Sequence, residues 1–289
     1  MNQEIKLSFL LCTLNREDDF KRSIKSLFEN DNKGISFEVV VVDQGLSDNV
    51  LEVCKLHGAI YIPTDSRGLS LARNIGLKRC NGTFIALMDD DAYISDSYFK
   101  DFLSIIENKK YFPNDVFSGR IMTIENNSEP LSRYQVQGNK EINYYNIDTV
   151  LSSALVIKKS ILDSVNNFDE SFGVGARWGG SEETDLISRI IHEKNSVKYF
   201  SSLIVFHPRT DFNNMTYKDT FYKTFTYGLG RGAYLRKNSF LPRYLIIKSL
   251  GMPIFAFFVS VVTLNPKNAV RYLSSFLGRL KGFVAFTKI

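Results

Sequence analysis

Thr83-Phe84-Ile85-Ala86-Leu87-Met88-Asp89-Asp90-Asp91 places six residues suited to a buried strand directly before three carboxylates. Gly82 marks a turn ahead of it, and an apolar run of this length bounded by turn residues reads as a strand covered on both faces. Three like charges released together where the backbone leaves a sheet repel one another and lose hydration. A divalent cation bridging to a phosphate removes that cost, and hard oxygen donors suit magnesium or manganese. The competing reading is a solvated acidic turn leading into a helix near Ser95-Asp96.

Working toward the N-terminus, strands and helices alternate with short connections. Residues 5–12 form an apolar strand, and Phe20, Ile24, Leu27 and Phe28 give the next segment one helical face. Residues 37–42 are a second buried strand ending at Asp43. Val50, Val53, Cys54 and His57 mark a second helix, residues 59–63 a third strand, and residues 71–80 a third helix. Such alternation predicts an α/β fold with a mostly parallel sheet and helices on both faces. Ligands bind outside the carboxyl ends of the strands in sheets of this kind. That rule gathers Thr13-Leu14-Asn15-Arg16, Asp43-Gln44-Gly45-Leu46-Ser47-Asp48 and the three aspartates at one edge. The first loop has no GxGxxG, which disfavours a dinucleotide site.

Toward the C-terminus the pattern weakens. Strands are expected at 116–124 and 150–157, a helix at 160–165, a Gly-rich loop at 173–180, a helix at 182–193, and strands at 197–200 and 203–206. The 289 residues carry a net charge of +5, unevenly spread. Residues 209–289 hold thirteen Lys/Arg against Asp211 and Asp219, a net of +11, which leaves the first 208 residues at −6. The expected organisation is therefore a body, 1–208, and a basic helical region, 209–289. Gly228, Gly230 and Gly232 follow no strand, so they read as close helix packing rather than a phosphate loop. Residues 249–264 contain no charge but are interrupted by Gly251 and Pro253, short of the roughly 20 residues a span needs. Arg271, Arg279 and Lys281 alternate with Tyr272, Phe276, Leu280 and Phe283, an amphipathic pattern suited to an anionic membrane surface. Packing of these helices on the body is the alternative. No nucleic-acid module accompanies the basic residues, so no nucleic-acid partner is expected. Residues 1–6 lead directly into the first strand, and Cys12, Cys54 and Cys80 form no CxxC, which together point to a reduced, cytoplasmic setting.

TLNR at 13–16, VVDQGLSD at 41–48, RGLSLARNIGL at 67–77 and FIALMDDDA at 84–92 resemble, in that order, the nucleotide-sugar half of a GT-A glycosyltransferase of family 2. FDESFGVGARWGGSEETDLISR at 168–189 resembles that family's acceptor and catalytic-base segment. The resemblance covers residues 5 to about 208. It implies a Rossmann-like GT-A fold and an inverting mechanism, in which an acceptor hydroxyl displaces a nucleoside diphosphate from the anomeric carbon.

The resemblance also implies roles. Asp91 matches the second carboxylate of the family's DxD and is the expected ligand of Mn2+ or Mg2+. Asp89 matches the first, near the ribose and the metal's waters, while Asp90 faces solvent. His207, at the end of a strand, is expected as a third metal ligand or a phosphate contact. Thr13 and Asp43 match the nucleoside pocket, where a carboxylate accepts a hydrogen bond from a base N–H such as that of uracil. Arg16 either reaches the diphosphate or caps the first helix. Arg73 and Asn74 match positions that contact diphosphate and sugar. The family's usual Glu-Asp at the base position reads Glu182-Glu183 here. Glu183 is favoured as the base, with Glu182 and Asp185 as alternatives; simple acidic capping of a helix N-terminus is the structural reading. Trp178, the lone tryptophan, is expected either to stack on an acceptor sugar or to sit in the core.

The expected activity is hexose transfer from a nucleotide-sugar, UDP-linked in the first instance, to a glycan acceptor. The acceptor is expected to be lipid-linked, in surface polysaccharide synthesis, with the protein peripheral or monotopic at the inner face of the cell membrane. A sugar nucleotidyltransferase and a catalytically degenerate, membrane-bound nucleotide-binding scaffold are the alternatives.

Overall fold

The computed structural model describes residues 6–108, 115–126 and 129–287. Two compact units divide the chain. One comprises residues 1–67, 71–168 and 189–209, the other residues 68–70, 169–188 and 210–289. The boundary expected at 208/209 is thus displaced: segment 169–188 groups with the basic tail.

The first unit is built on β1 (Leu7–Thr13), β2 (Phe37–Asp43), β3 (Ile60–Pro63) and β4 (Phe84–Asp89). Residue 5, where the first strand was expected to begin, lies outside the described residues. These strands run parallel in the order β3-β2-β1-β4. Register aligns Thr13 with Asp43 and Cys12 with Asp89, so the ends of three strands arrive at one edge together. Helix α1 (Glu17–Glu29) buries Phe20, Ile24 and Leu27 on one face of the sheet, in the core that holds Phe9, Leu11 and Val41. α2 (Asp48–His57) starts where Ser47 Oγ accepts the Val50 N–H and ends at Gly58 in the left-handed region, φ 70°. α3 (Leu69–Leu77) covers the opposite face: a methyl on Gly76 would lie 2.3 Å from Leu10 Cδ1, so only glycine lets this helix approach.

Beyond β4 the sheet turns mixed. The aspartates lead into β5 (Tyr93–Ile94) and α4 (Tyr98–Glu107), then β6 (Val116–Thr123), β7 (Lys140–Ile142), β8 (Leu155–Lys158) and α5 (Lys159–Ser164). α6 (Glu182–His192) precedes β9 (Val197–His207). The full order is β3-β2-β1-β4-β8-β6-β9-β5, with β7 also on β9. β8 is antiparallel to β4 and β6, whereas β6 and β9 are parallel and align Thr123 with His207. β5 pairs antiparallel with β9 through Tyr93 and Phe206. The turn that follows β4 is thereby tied to the end of β9, next to His207.

Two local expectations are corrected. Residues 150–154 are not strand; 3₁₀ turns occupy Ile147–Thr149 and Ser152–Ala154, and Ser153 spends its hydroxyl on Asp89. The two strands expected around Ser201-Ser202 are one. Asn139 Oδ1 accepts the Ser201 N–H at 3.3 Å and Ser201 Oγ accepts the Gly138 N–H at 3.0 Å, so these polar residues stay in the strand.

In the second unit, α7 (Tyr217–Lys237), α8 (Arg243–Val262) and α9 (Pro266–Ala285) are long helices. α7 and α9 run in the same direction, because Gly228 meets Ser275 and Gly232 meets Arg279. A methyl on Gly228, Gly232, Gly278 or Gly282 would sit 2.0–2.5 Å from a carbonyl oxygen of the facing helix. Thr224 and Ser274 hydrogen-bond in the same seam. The glycine-rich stretch is helix packing, as its lack of a preceding strand implied.

Candidate active site

β4 and β9 together build an acidic centre in the first unit. Asp89, Asp91 and His207 each direct one ligand atom into a cluster whose atoms all lie within 4.8 Å of one another. His207 Nε2 is 3.1 Å from Asp91 Oδ1 and 3.6 Å from Asp89 Oδ2. Its Nδ1 lies 2.7 Å from the Pro208 carbonyl oxygen, a position from which Nδ1–H donates. That bond fixes the ring and leaves Nε2 facing the two carboxylates, the orientation a metal-ligating histidine requires. Two carboxylates and an imidazole form a donor set that fits Mn2+ or Mg2+.

The surrounding charges compensate one another. Burial alone would raise the Asp89 carboxyl, but His207, Arg73 and Ser153 outweigh it and hold the group far below the ordinary carboxylate range. Arg73 Nη2 is 3.3 Å from Asp89 Oδ1, and its guanidinium lies over the Phe168 ring. Asp91, also opposed by burial, is lowered by His207 and Arg16; Arg16 Nη1 donates to Asp91 Oδ2 at 2.6 Å. Burial works against a charged His207, yet the two carboxylates raise it to about 10.

Asp90 departs from expectation. It is 7% exposed rather than solvent-facing, and Thr13 Oγ1 donates to it at 2.8 Å. Burial, joined by the charges of Asp91 and Asp89, raises its carboxyl to about 6 despite Thr13 and Arg16. Thr13 therefore braces the acidic turn. The Arg16 backbone occupies the N-cap of α1 without a side-chain cap bond, and its guanidinium pairs with Asp91 and Asp90.

Asp43 is fully buried. Its Oδ1 accepts the Gly45 N–H at 2.8 Å, and its Oδ2 accepts the Ser47 N–H at 2.7 Å and the Tyr61 hydroxyl at 3.1 Å. The carboxylate thus shapes the 43–48 loop. Asn74 pairs reciprocally with the Phe168 backbone, donating to its carbonyl at 2.9 Å and accepting its N–H at 3.1 Å. Both side chains hold loops in place by these bonds, a use the motif pattern did not reveal.

In the second unit, α6 opens with Glu182 buried, Glu183 partly exposed and Asp185 at 0% exposure. Ser181 precedes them at φ 67°, in the left-handed region. Asp185 is engaged by Lys237 Nζ at 2.8 Å and Asn238 Nδ2 at 2.9 Å. Lys237 also pairs with Asp169 at 2.7 Å. Burial would raise the Asp169 carboxyl, but Lys237 and Ser171 outweigh it and lower it. Asp185, engaged by both Lys237 and Asn238, ties the first turns of α6 to the end of α7. Trp178 is 4% exposed, packed on Phe286 with Arg177 4.8 Å above its ring. The core reading holds for Trp178: its ring faces are covered by protein and present no open platform for a sugar.

Ser153, Tyr61, Lys237 and Asn238 escaped the sequence reading. Each acts through contacts with residues distant in the chain, a relation without a local signature.

Comparison with known proteins gives a coherent set of likenesses. The sequence profile described as glycosyl transferase family 2 matches residues 8–166, more than half of the chain. Glycosyltransferase GlyA of Streptococcus pneumoniae is 26% identical over 60% of this chain and 24% of its own length. The poly(ribitol-phosphate) beta-N-acetylglucosaminyltransferase TarS of Staphylococcus aureus is 32% identical over 36% of this chain and 19% of its own. The chain thus spans a quarter or less of these curated relatives. Among solved structures, the S. aureus TarS fragment 1-349 in complex with UDP-GlcNAc aligns with a TM-score of 0.59 at 16% identity, covering 97% of this chain and 92% of that one. The mannosyltransferase PcManGT from Pyrobaculum calidifontis, in complex with GDP-Man and Mn2+, aligns with a TM-score of 0.64 at 12% identity, covering 97% and 88%. At such identities the likeness establishes the GT-A fold.

Proposed function

The chain belongs to glycosyl transferase family 2, and from that premise we propose that it transfers a hexose, with inversion, from a nucleoside-diphosphate sugar to a glycan acceptor. The observation that carries this reading is the Asp89–Asp91–His207 cluster, with Arg16 and Arg73 paired to its carboxylates. A divalent ion held there, Mn2+ or Mg2+, would supply Lewis-acid neutralisation of the departing diphosphate. Asp89, Asp91 and His207 are its proposed ligands. Arg16 and Arg73 carry positive charge that can turn from the carboxylates to the phosphates. Thr13 and Asp43 keep the strand-end loops in the shape that receives the nucleoside.

Glu183 is the proposed base. As the acceptor oxygen bonds to the anomeric carbon and the bond to the diphosphate breaks, the hydroxyl proton passes to the Glu183 carboxylate. The donor is proposed to be UDP-linked, with support from the fold shared with TarS, whose complex holds UDP-GlcNAc; GDP-sugars are the competing class, given the GDP-Man complex of PcManGT. A lipid-linked acceptor at the inner face of the cell membrane, in surface polysaccharide synthesis, fits the basic tail. The retained acidic cluster favours an active enzyme over a degenerate scaffold.

The test is a screen of UDP- and GDP-sugars for binding and slow hydrolysis, with Mn2+, with Mg2+ and with excess chelator. Metal-dependent hydrolysis of one nucleotide class is expected. Hydrolysis unaffected by chelator, or no binding of any nucleotide sugar, would overturn the proposal.

A further inference from the structure

Helix α8 is built inside out for a helix in water. Its buried positions, Ser249, Pro253 and Ser260, are small. Its exposed positions include Ile247, Met252, Phe255, Phe258, Val259 and Val262, with Phe255 at 72% and Val262 at 81% exposure. A soluble amphipathic helix reverses this arrangement, keeping large apolar residues inward. Small residues at helix contacts with large apolar ones outside are what packing against hydrocarbon selects. The glycine seam between α7 and α9 obeys the same logic.

Length and mean hydropathy, 20 residues and 2.1, would allow α8 to cross a bilayer. The contacts of Ser249 argue against it. Arg231 Nε lies 3.4 Å from Ser249 Oγ, and Arg279 Nη1 donates to the Ser249 carbonyl and lies 3.3 Å from its hydroxyl. Two guanidiniums therefore rest on the inner face of α8, seven residues into the helix. A crossing α8 would carry both into hydrocarbon, where such charges are strongly disfavoured. An in-plane helix immerses only its outer stripe and leaves that face with α7 and α9.

We propose that α8 lies in the plane of an anionic lipid leaflet, with Ile247, Phe255, Phe258 and Val262 immersed among the acyl chains. Charge selects this occupant over a second copy of the chain. Residues 209–289 carry a net +11, and Arg243, Lys248 and Lys281 are exposed. Two such surfaces facing one another repel, whereas acidic headgroups attract them. The proposal concerns the second unit alone and is independent of the donor chemistry, so either reading can fail while the other stands.

The experiment is flotation of the purified full chain with vesicles of mixed phosphatidylglycerol and phosphatidylcholine, and with phosphatidylcholine alone. Binding to the anionic vesicles, weakened by salt, is expected. Phe255→Glu with Phe258→Glu should lower partitioning about tenfold or more while helicity by circular dichroism is unchanged. A charge-matched exchange of Lys33→Gln and Lys78→Gln should leave partitioning within about twofold. Orientation is read from quenching by brominated lipids of tryptophan placed singly, in a Trp178→Phe background, at Ile247→Trp, Phe255→Trp and Val262→Trp. Equal, shallow depths support the in-plane helix. A position 255 much deeper than both 247 and 262 means that α8 crosses the bilayer and overturns the proposal. So does a chain that stays with the soluble fraction, or one that forms a dimer and binds no vesicles.

Discussion

Asp89, Asp90 and Asp91 are chemically identical and adjacent, yet the fold gives each a different partner. Asp89 and Asp91 turn to His207, whereas Asp90 turns back to Thr13. If the first two ligate a metal, Asp91→Asn should lower metal-dependent turnover by roughly 10²-fold or more with little change in folding; single-turnover rates with saturating donor check it. Glu183→Gln should reduce transfer by ~10²–10⁴-fold and leave donor affinity near that of the unaltered chain, a contrast that titration calorimetry resolves. His207 supplies a test without metal. Its value in the folded chain is raised from 6.5 to about 10, so its ion pairs contribute stability that is complete below about 6.5 and lost as pH rises through about 10. In excess chelator the denaturation midpoint should therefore fall more between pH 7 and pH 10 for the unaltered chain than for His207→Gln. Parallel declines would remove His207 from the cluster. The acidic triplet itself was legible in the sequence, because an apolar strand run ends directly in three carboxylates. The partition of roles within it was not, since Thr13 reaches Asp90 across 77 residues.

At the level of elements, close contact rather than apolar bulk decides how the second unit holds together. α7 and α9 meet through glycine, and any larger residue must force them apart. Gly232→Val should destabilise the second unit by about 1–3 kcal/mol through overpacking, visible as an earlier melting transition. A Gly251→Ala control, where an added methyl meets nothing within 4 Å, should be nearly silent. The N-terminal strands and helices were readable because period and turn residues agreed along each of them. The 3₁₀ turns near Ser153 and the continuity of β9 were not. There, single hydrogen bonds of the Ser153, Asn139 and Ser201 side chains override what local propensity favours.

For the molecule as a whole, the sharp change of charge after residue 208 looks like a domain boundary, but the compact units do not follow it. Polar contacts such as Asp185 with Lys237 cross that point, and they carry no periodicity for a sequence reading to detect. A chain cut after residue 208 loses Lys237 and Asn238 and leaves Asp185 without either. Lys237→Met removes one of them; with Asp185 and Asp169 both losing their cation, a loss of about 3–5 kcal/mol is expected, measured by chemical denaturation, and Lys237→Arg should recover part of it. That ion pair also imposes a schedule on biosynthesis. Asp185 leaves the ribosome 52 residues ahead of Lys237, at synthesis rates of about 5–20 residues per second. For several seconds Asp185 lacks the Lys237 ammonium and the Asn238 amide that engage it in the folded chain. The contacts that hold the opening of α6, where the proposed base Glu183 lies, are thus complete only after residues 237 and 238 have been made.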